Sequence, residues 1–155
     1  INHKKKYPNE PMPTNLKVKN FISKPLFDDQ KNINIVKDAM FSSSNEPGGT
    51  SYRHRIENPK FTFAGKTGSS QIKRFTEAQR EAEVKQTDLN YKDRDHALFI
   101  AFAPYNDPKY AISVVVEHGG SGGSAAAPIA KKIIKKVLER HDLRKEISYS
   151  QGDSI

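Results

Sequence analysis

Lys66, Thr67, Gly68 and Ser69 put a cation, two hydroxyls and open backbone into one short run. The run reads Phe61-Thr62-Phe63-Ala64-Gly65-Lys66-Thr67-Gly68-Ser69-Ser70-Gln71. Such a set suits a small anionic group. The ammonium supplies charge, the hydroxyls supply hydrogen bonds, and positions without a Cβ let a ligand or another backbone come close. Phe61 and Phe63 fall on one side of a period-two pattern and Thr62 and Ala64 on the other, which predicts a strand running into the motif. A nucleotide loop is one chemistry to test. It needs glycine at position 60 and a helix straight after the threonine; the chain has Lys60 and Gly68 there. The surrounding elements must decide what the motif serves.

The chain has 155 residues, enough for one domain, and no cysteine. Neither a disulfide framework nor a thiolate metal site can form. Hydrophobic residues make up 35% of it and the mean hydropathy is −0.77. They crowd into 61–64, 98–103, 112–116 and 129–138, between polar ends. This pattern fits a modest core with loose flanks. The net charge is +8. Its excess is diffuse, with no basic stripe interleaved with aromatics, so nucleic acid is not the expected partner. No stretch is long enough to span a bilayer. The chain opens on Ile1, not Met, and is therefore expected to be a fragment or a processed product, with any anchor or export signal upstream.

Taken in order, residues 1–27 are rich in Pro and Lys and read as extended or loop structure, with one short strand within 15–21. Residues 28–44 read as a helix capped by Asp28 or Asp29, with Ile33, Val36 and Met40 at helical spacing. Ser42–Asn45 and Pro47-Gly48-Gly49-Thr50 stop it. The charged stretch after Gln71 predicts a short exposed helix at about 77–86. His96–Ala103 and Tyr110–Glu117 read as strands apolar on both faces, joined by a short turn and so antiparallel. Ser124 is expected to cap a final helix at about 125–141. Its apolar stripe comprises Ala126, Ile129, Ala130, Ile133, Ile134, Val137 and Leu138. Residues 142–155 read as a polar tail. The fold class is α+β: antiparallel strands at about 61–70, 96–103 and 110–117, with the terminal helix on one face. A single amphipathic helix cannot cover two faces, so an upstream portion is expected to supply the other cover and further strands. The last strand is expected to carry an open edge where such strands would pair. That is a liability in isolation, so the piece alone is expected to be marginally stable or to self-associate.

The order of pieces is specific. Lys66-Thr67-Gly68-Ser69 ends one strand. Asp95-His96-Ala97-Leu98-Phe99-Ile100-Ala101-Phe102-Ala103-Pro104 forms the next, and Ser113-Val114-Val115-Val116-Glu117-His118-Gly119-Gly120 the third. Ala126-Ala127-Pro128-Ile129-Ala130-Lys131 then opens the helix. With Val36–Met40 and Pro47–Thr50 ahead of it, the series resembles the C-terminal part of the transpeptidase domain of class B penicillin-binding proteins. The Glu117-His118-Gly119-Gly120 loop is closer to the elongation type, penicillin-binding protein 2, than to the division type. The resemblance covers about 28–141 and is strongest from 61 to 131. Its motif is the Lys-Thr-Gly signature shared with serine β-lactamases.

The resemblance implies a serine β-lactamase/penicillin-binding transpeptidase fold and a peptidoglycan D,D-transpeptidase that works through a serine acyl-enzyme. Lys66 would set a positive field and hydrogen-bond the serine of a Ser-x-Asn motif. Thr67 and Ser69 would receive the substrate carboxylate, Gly68 would keep the approach open, and the Ser69 N–H would be half of the oxyanion hole. Ser69 replaces the commoner threonine but keeps the hydroxyl. No cofactor or metal is implied. The implied partners are peptidoglycan stem peptides, β-lactams, a membrane glycosyltransferase and elongation-complex proteins. The implied location is the periplasmic side of the inner membrane, through an N-terminal anchor outside these residues. The nucleophile is expected outside the chain, so the isolated piece is expected to be inactive. The competing reading is a non-catalytic remnant of the same fold serving as a binding module; retention of Lys66 to Ser69 argues mildly against it.

Three other strings imitate motifs. Ser70-Gln71-Ile72-Lys73 fits Ser-x-x-Lys, but residues leaving a strand do not share a face at that spacing. Ser43-Ser44-Asn45 fits Ser-x-Asn but reads as a helix terminus. Gly120-x-Gly122-x-x-Ala125 imitates a dinucleotide fingerprint without the further strand which that fold needs. His3, His54, His96, His118 and His141 show no metal spacing.

Overall fold

The structure, a computed structural model, describes residues 29–74, 76–77, 81–82 and 84–152, with 144–152 by backbone alone. The chain divides into two units, Ile1–Gln30 and Lys31–Ile155. The expected loop at 1–27, its strand at 15–21 and Asp28 lie outside the described residues, as does much of the expected helix at 77–86.

Helix α1 spans Gln30–Asn45. Its inward row includes Met40, Phe41 and the buried Ser44, whereas Val36 is 58% exposed, so the expected row through Val36 is displaced. The helix ends through side-chain bonds. Asn45 Nδ2 donates to Phe41 O at 3.0 Å and to Phe63 O at 2.8 Å. Ser44 Oγ bonds Ser51 Oγ at 3.0 Å and donates to Gly65 O at 3.3 Å. These bonds tie the helix terminus to the chain entering the first strand.

That strand, β1, is Ala64–Ser70 and begins later than expected. Phe61 and Phe63 are not strand neighbours. Asn58 accepts from Lys60 N at 3.0 Å and Pro59–Phe61 turns as a 3-10 helix, closed by Thr62 Oγ1 donating to Pro59 O. Local capping by Asn58 outweighs the alternating pattern here. Phe63 is still fully buried, with its ring edge-on to Phe99 at 6.1 Å.

β2 is His96–Ala103 and β3 is Tyr110–Val116; the antiparallel sheet has the order β1-β2-β3. Paired residues point to the same side of a sheet. Ala97, Phe99, Ala101 and Ala103 therefore lie on one face with Thr67, Ser69, Val114 and Val116. Helix α2, Ala127–Gly152, covers that face, entered through a π-helical turn at Gly122–Ala126. Ala130, Ile134 and Leu138 are its buried row, continued into the turn by Ala126. Ile129 and Ile133, counted in the expected stripe, are only partly covered, at 42% and 44% exposed. Ser124 does not cap the helix, because helical geometry already begins at Gly122 and its hydroxyl donates back to Ser121 O at 3.3 Å. The helix also continues past 141 into the stretch expected to be a polar tail.

The opposite face of the sheet is left open by the described residues, as expected of a chain with a single amphipathic helix to lay on it. Ile100 is 50% exposed and Val115 57% exposed, beside Ala111 and Ser113, which are also exposed. Among the described residues β1 and β3 are both edge strands.

Candidate functional site: the edge strand β1 and its flanking loops

The motif occupies β1. Lys66 pairs with Ile100, Thr67 with Phe99, Gly68 with Leu98 and Ser69 with Ala97. Alternation along the strand then separates its chemistry. Lys66 belongs to the open face, and Thr67 and Ser69 belong to the face that α2 covers. An edge strand can present both sets along one rim. Lys66 is exposed, its ammonium donates to Thr67 O at 2.7 Å, and it makes no ion pair within the described residues. Ser69 is exposed, with Oγ 3.5 Å from Gly120 O, at the outer limit of a hydrogen bond.

The two glycines beside the lysine differ in use. At Gly65 an added Cβ would lie 2.4 Å from Phe99 Cζ, so this position makes room for a core ring and not for a ligand. At Gly68 the nearest atom to an added Cβ is Leu98 Cβ at 3.4 Å, on the open face. The crowding at Gly68 comes from behind. Gly122 sits so close that its own Cβ would be 2.3 Å from Leu98 O and 2.6 Å from Gly68 O. The π-helical turn therefore braces the backbone of the motif.

Thr67 is joined to a chain of hydroxyls. Its Oγ1 lies 3.0 Å from Thr50 Oγ1, which lies 3.2 Å from Ser43 Oγ. Ser43 thus does more than end a helix, although Asn45 beside it is a structural anchor. Composition could not reveal the pairing of Thr50 with Thr67; the only signal was the Gly48-Gly49-Thr50 turn itself. The loop holding Thr50 is fixed from below by Ser51, which is buried and donates from both N and Oγ to Ser43 O at 3.1 Å.

The loop behind Ser69 is built as firmly. Gly120 N donates to Asp95 O at 2.8 Å. Gln86 brackets Asp95, donating from Nε2 to Oδ2 at 3.0 Å and accepting from Asp95 N at 2.8 Å. His118 adopts φ 55°, and its N–H donates to His96 Nδ1 at 3.0 Å, so that ring nitrogen acts as an acceptor. The two imidazoles lie 5.0 Å apart. Lys73, the lysine of the Ser-x-x-Lys string, is engaged with Asp93 at 3.0 Å, while Ser70 ends β1 opposite His96. Among the described residues no group of three or more His, Asp or Glu could hold a metal ion, and no helix is long and apolar enough to cross a membrane.

Between the Gly48–His54 loop and the Ser121–Ser124 turn lies a groove of about 680 Å³. A separate recess of about 470 Å³, lined by Lys60, Asp107, Lys109 and His141 among others, contains none of the motif residues.

Comparison with known proteins agrees with this arrangement. The penicillin binding protein transpeptidase domain family matches residues 21–135. A peptidoglycan D,D-transpeptidase, MrdA, of Salmonella typhimurium is 38% identical over 105 residues, which are 68% of this chain and 16% of the relative. The Haemophilus influenzae protein of the same name is 33% identical over 104 residues, covering 67% and 15%. The penicillin-binding protein (PBP2) of Helicobacter pylori, solved in complex with MreC, aligns at a TM-score of 0.53 and 34% identity, over 70% of this chain and 17% of that one. Pseudomonas aeruginosa PBP2, solved in complex with WCK 5153, aligns at 0.51 and 30% identity, over 70% and 19%. The chain thus spans about a sixth of the length of the curated relatives it matches. With the motif on β1, the hairpin after it and the bracing helix in one continuous match, the chain belongs to the penicillin binding protein transpeptidase domain family.

Proposed function

We propose that this segment is one wall of the acyl-transfer cleft of a peptidoglycan D,D-transpeptidase of the elongation type. One observation carries the reading. Lys66, Thr67 and Ser69 stand on an edge strand, with the cation on one face and the hydroxyls on the other, in a chain of this family. Serine is a weak nucleophile until a base activates it. The serine and its lysine base come from a Ser-x-x-Lys motif beyond these residues, facing the free edge of β1.

In the proposed reaction that serine oxygen attacks the penultimate carbonyl of a stem peptide ending in D-Ala-D-Ala. The Ser69 N–H stabilises the oxyanion of the tetrahedral intermediate, where one donor is typically worth about 10²–10³ in rate. Thr67 and Ser69 hold the terminal carboxylate with their hydroxyls. Lys66 supplies positive potential and bonds the serine that passes the proton to the departing nitrogen. The C–N bond breaks and D-alanine leaves. The amine of a neighbouring stem then attacks the ester, forming the cross-link and freeing the serine. A β-lactam acylates the same serine and does not leave.

The protein works on the periplasmic side of the inner membrane, held by an N-terminal anchor. It acts beside a membrane glycosyltransferase and elongation proteins; the MreC complex of the Helicobacter relative supports the second of these partners. The test uses a fluorescent penicillin. The full-length protein carrying this segment becomes labelled, Lys66→Gln slows labelling by on the order of 10²-fold, and the 155-residue chain alone is not labelled. Labelling of the isolated chain, or none of the full-length protein, overturns the proposal.

A further inference from the structure

We propose that the groove beside Thr67 is a second carboxylate subsite, in which Arg53, with His54, recognises an acidic group of the peptide other than its terminal carboxylate. This deepens the transpeptidase reading and rests on it.

The groove contains none of the motif residues itself but adjoins the motif through Thr50. Thr50, on its wall, is hydrogen-bonded to Thr67 at 3.0 Å. Gly123 closes the other wall, where an added Cβ would be 2.8 Å from Thr50 O and 3.8 Å from Thr67 Cγ2. A peptide whose terminal carboxylate sits on Thr67 and Ser69 therefore has a neighbouring recess of about 680 Å³ within reach.

Its chemistry is cationic. Arg53 and His54 line it with the hydroxyls of Ser121 and Ser124, and no carboxylate does. Within the described residues the Arg53 guanidinium and the His54 ring have no ion pair or hydrogen-bond partner. Arg55, two residues on, makes the contrast. Its guanidinium lies 4.3 Å from the Tyr52 ring centre, bonds Tyr52 O and pairs with Glu57 at 3.3 Å. Arg55 serves the fold, and Arg53 is left for something else.

The backbone presenting Arg53 is held in place. Tyr52–His54 is a 3-10 turn, with Tyr52 N bonded to Gly49 O at 3.1 Å and His54 N to Ser51 O at 2.8 Å, above the buried Ser51–Ser44 pair. A guanidinium on a fixed turn can meet a carboxylate through two parallel N–H···O bonds, a geometry that an ammonium cannot supply.

The experiment compares two synthetic peptides ending in D-Ala-D-Ala with the full-length protein. One carries a free side-chain carboxylate on the residue before the first D-alanine, and the other carries the corresponding amide. D-Alanine release gives kcat/KM for each. The ratio within one protein cancels the amount of active enzyme. The unaltered protein favours the carboxylate peptide by about tenfold or more. Arg53→Gln brings the ratio to near one, Arg53→Lys leaves an intermediate ratio, and Lys60→Gln, a basic change outside the groove, keeps the full preference. Equal turnover of the two peptides by the unaltered protein, or an unchanged ratio in Arg53→Gln, overturns the subsite. Failure of the unaltered protein to take up fluorescent penicillin overturns the transpeptidase reading itself, and the subsite with it.

Discussion

Gly122→Ala is the sharpest test of how the motif is held. A Cβ at this position would lie 2.3 Å from Leu98 O, 2.6 Å from Gly68 O and 2.9 Å from Gly68 N. All three are backbone atoms, so no side chain can swing aside. A carbon settles against a carbonyl oxygen at roughly 3.3–3.6 Å, so the turn must part from β1 and β2 by about 1 Å. Overpacking of this kind destabilises by about 1–3 kcal/mol. Guanidinium unfolding of the 155-residue chain measures that loss. The displacement has a second consequence, because Gly68 immediately precedes Ser69, the proposed oxyanion donor. A misplacement of about 1 Å in a catalytic group can lower rate on the order of 10²-fold. Acylation of the full-length protein by fluorescent penicillin should fall accordingly, even at temperatures where the variant is folded. A Gly122→Ala protein with unchanged stability and unchanged labelling would refute the claim that the π-helical turn braces the motif.

Three further outcomes are expected. Leu138→Ala, at a position only 3% exposed, lowers the unfolding free energy by about 2–5 kcal/mol. Ile133→Ala on the same helix, at 44% exposed, changes it far less; equal losses would contradict the assigned inner row. The 155-residue chain self-associates through the open sheet face, and replacing Ile100 and Val115 together by Glu makes it sediment as a monomer. Undiminished association of that variant would mean that another surface is responsible. The Tyr105 hydroxyl donates to the Asp38 carboxylate, and this bond, with desolvation and the carboxylate charge, raises the phenol above its ordinary 10.0. A raised value means that the contribution to stability is complete below the unfolded value and is lost as pH rises through the folded one. Asp38→Asn should bring the ionisation of Tyr105 down, seen as phenolate absorbance in difference against Tyr105→Phe; no change would remove Asp38 as the cause.

Where the elements repeat a strong period, they were legible before the structure. His96–Ala103 is the strand at the expected bounds, and the 110–117 strand ends one residue early at Val116. The short turn between them could only make a hairpin. Local side chains erased the weaker patterns. Asn58 and Pro59 turned Phe61 out of the strand, and helical geometry starting at Gly122 left Ser124 without a capping role. Apolar composition also overstated burial. Ile100 and Val115 lie on the sheet face that the described residues leave open, and Ile129 and Ile133 are only partly covered because the inner row of α2 runs through Ala130, Ile134 and Leu138.

The sequence by itself determined the chemistry in the run Lys66 to Ser69, the order of the elements around it and the resemblance those elements carry. It took the placement of β1 at Ala64–Ser70 to show that Lys66 lies on one face and the hydroxyls of Thr67 and Ser69 on the other. Only the tertiary structure decided what those groups meet. Thr50 reaches Thr67 from 17 residues away and Gly120 approaches Ser69 from 51 residues away. Gly122 packs onto Gly68 through backbone atoms, and the loop that carries Arg53 closes against the turn that carries Gly123. Such contacts depend on how sheet and helix pack at distances of a few ångströms, and separation along the chain does not encode that.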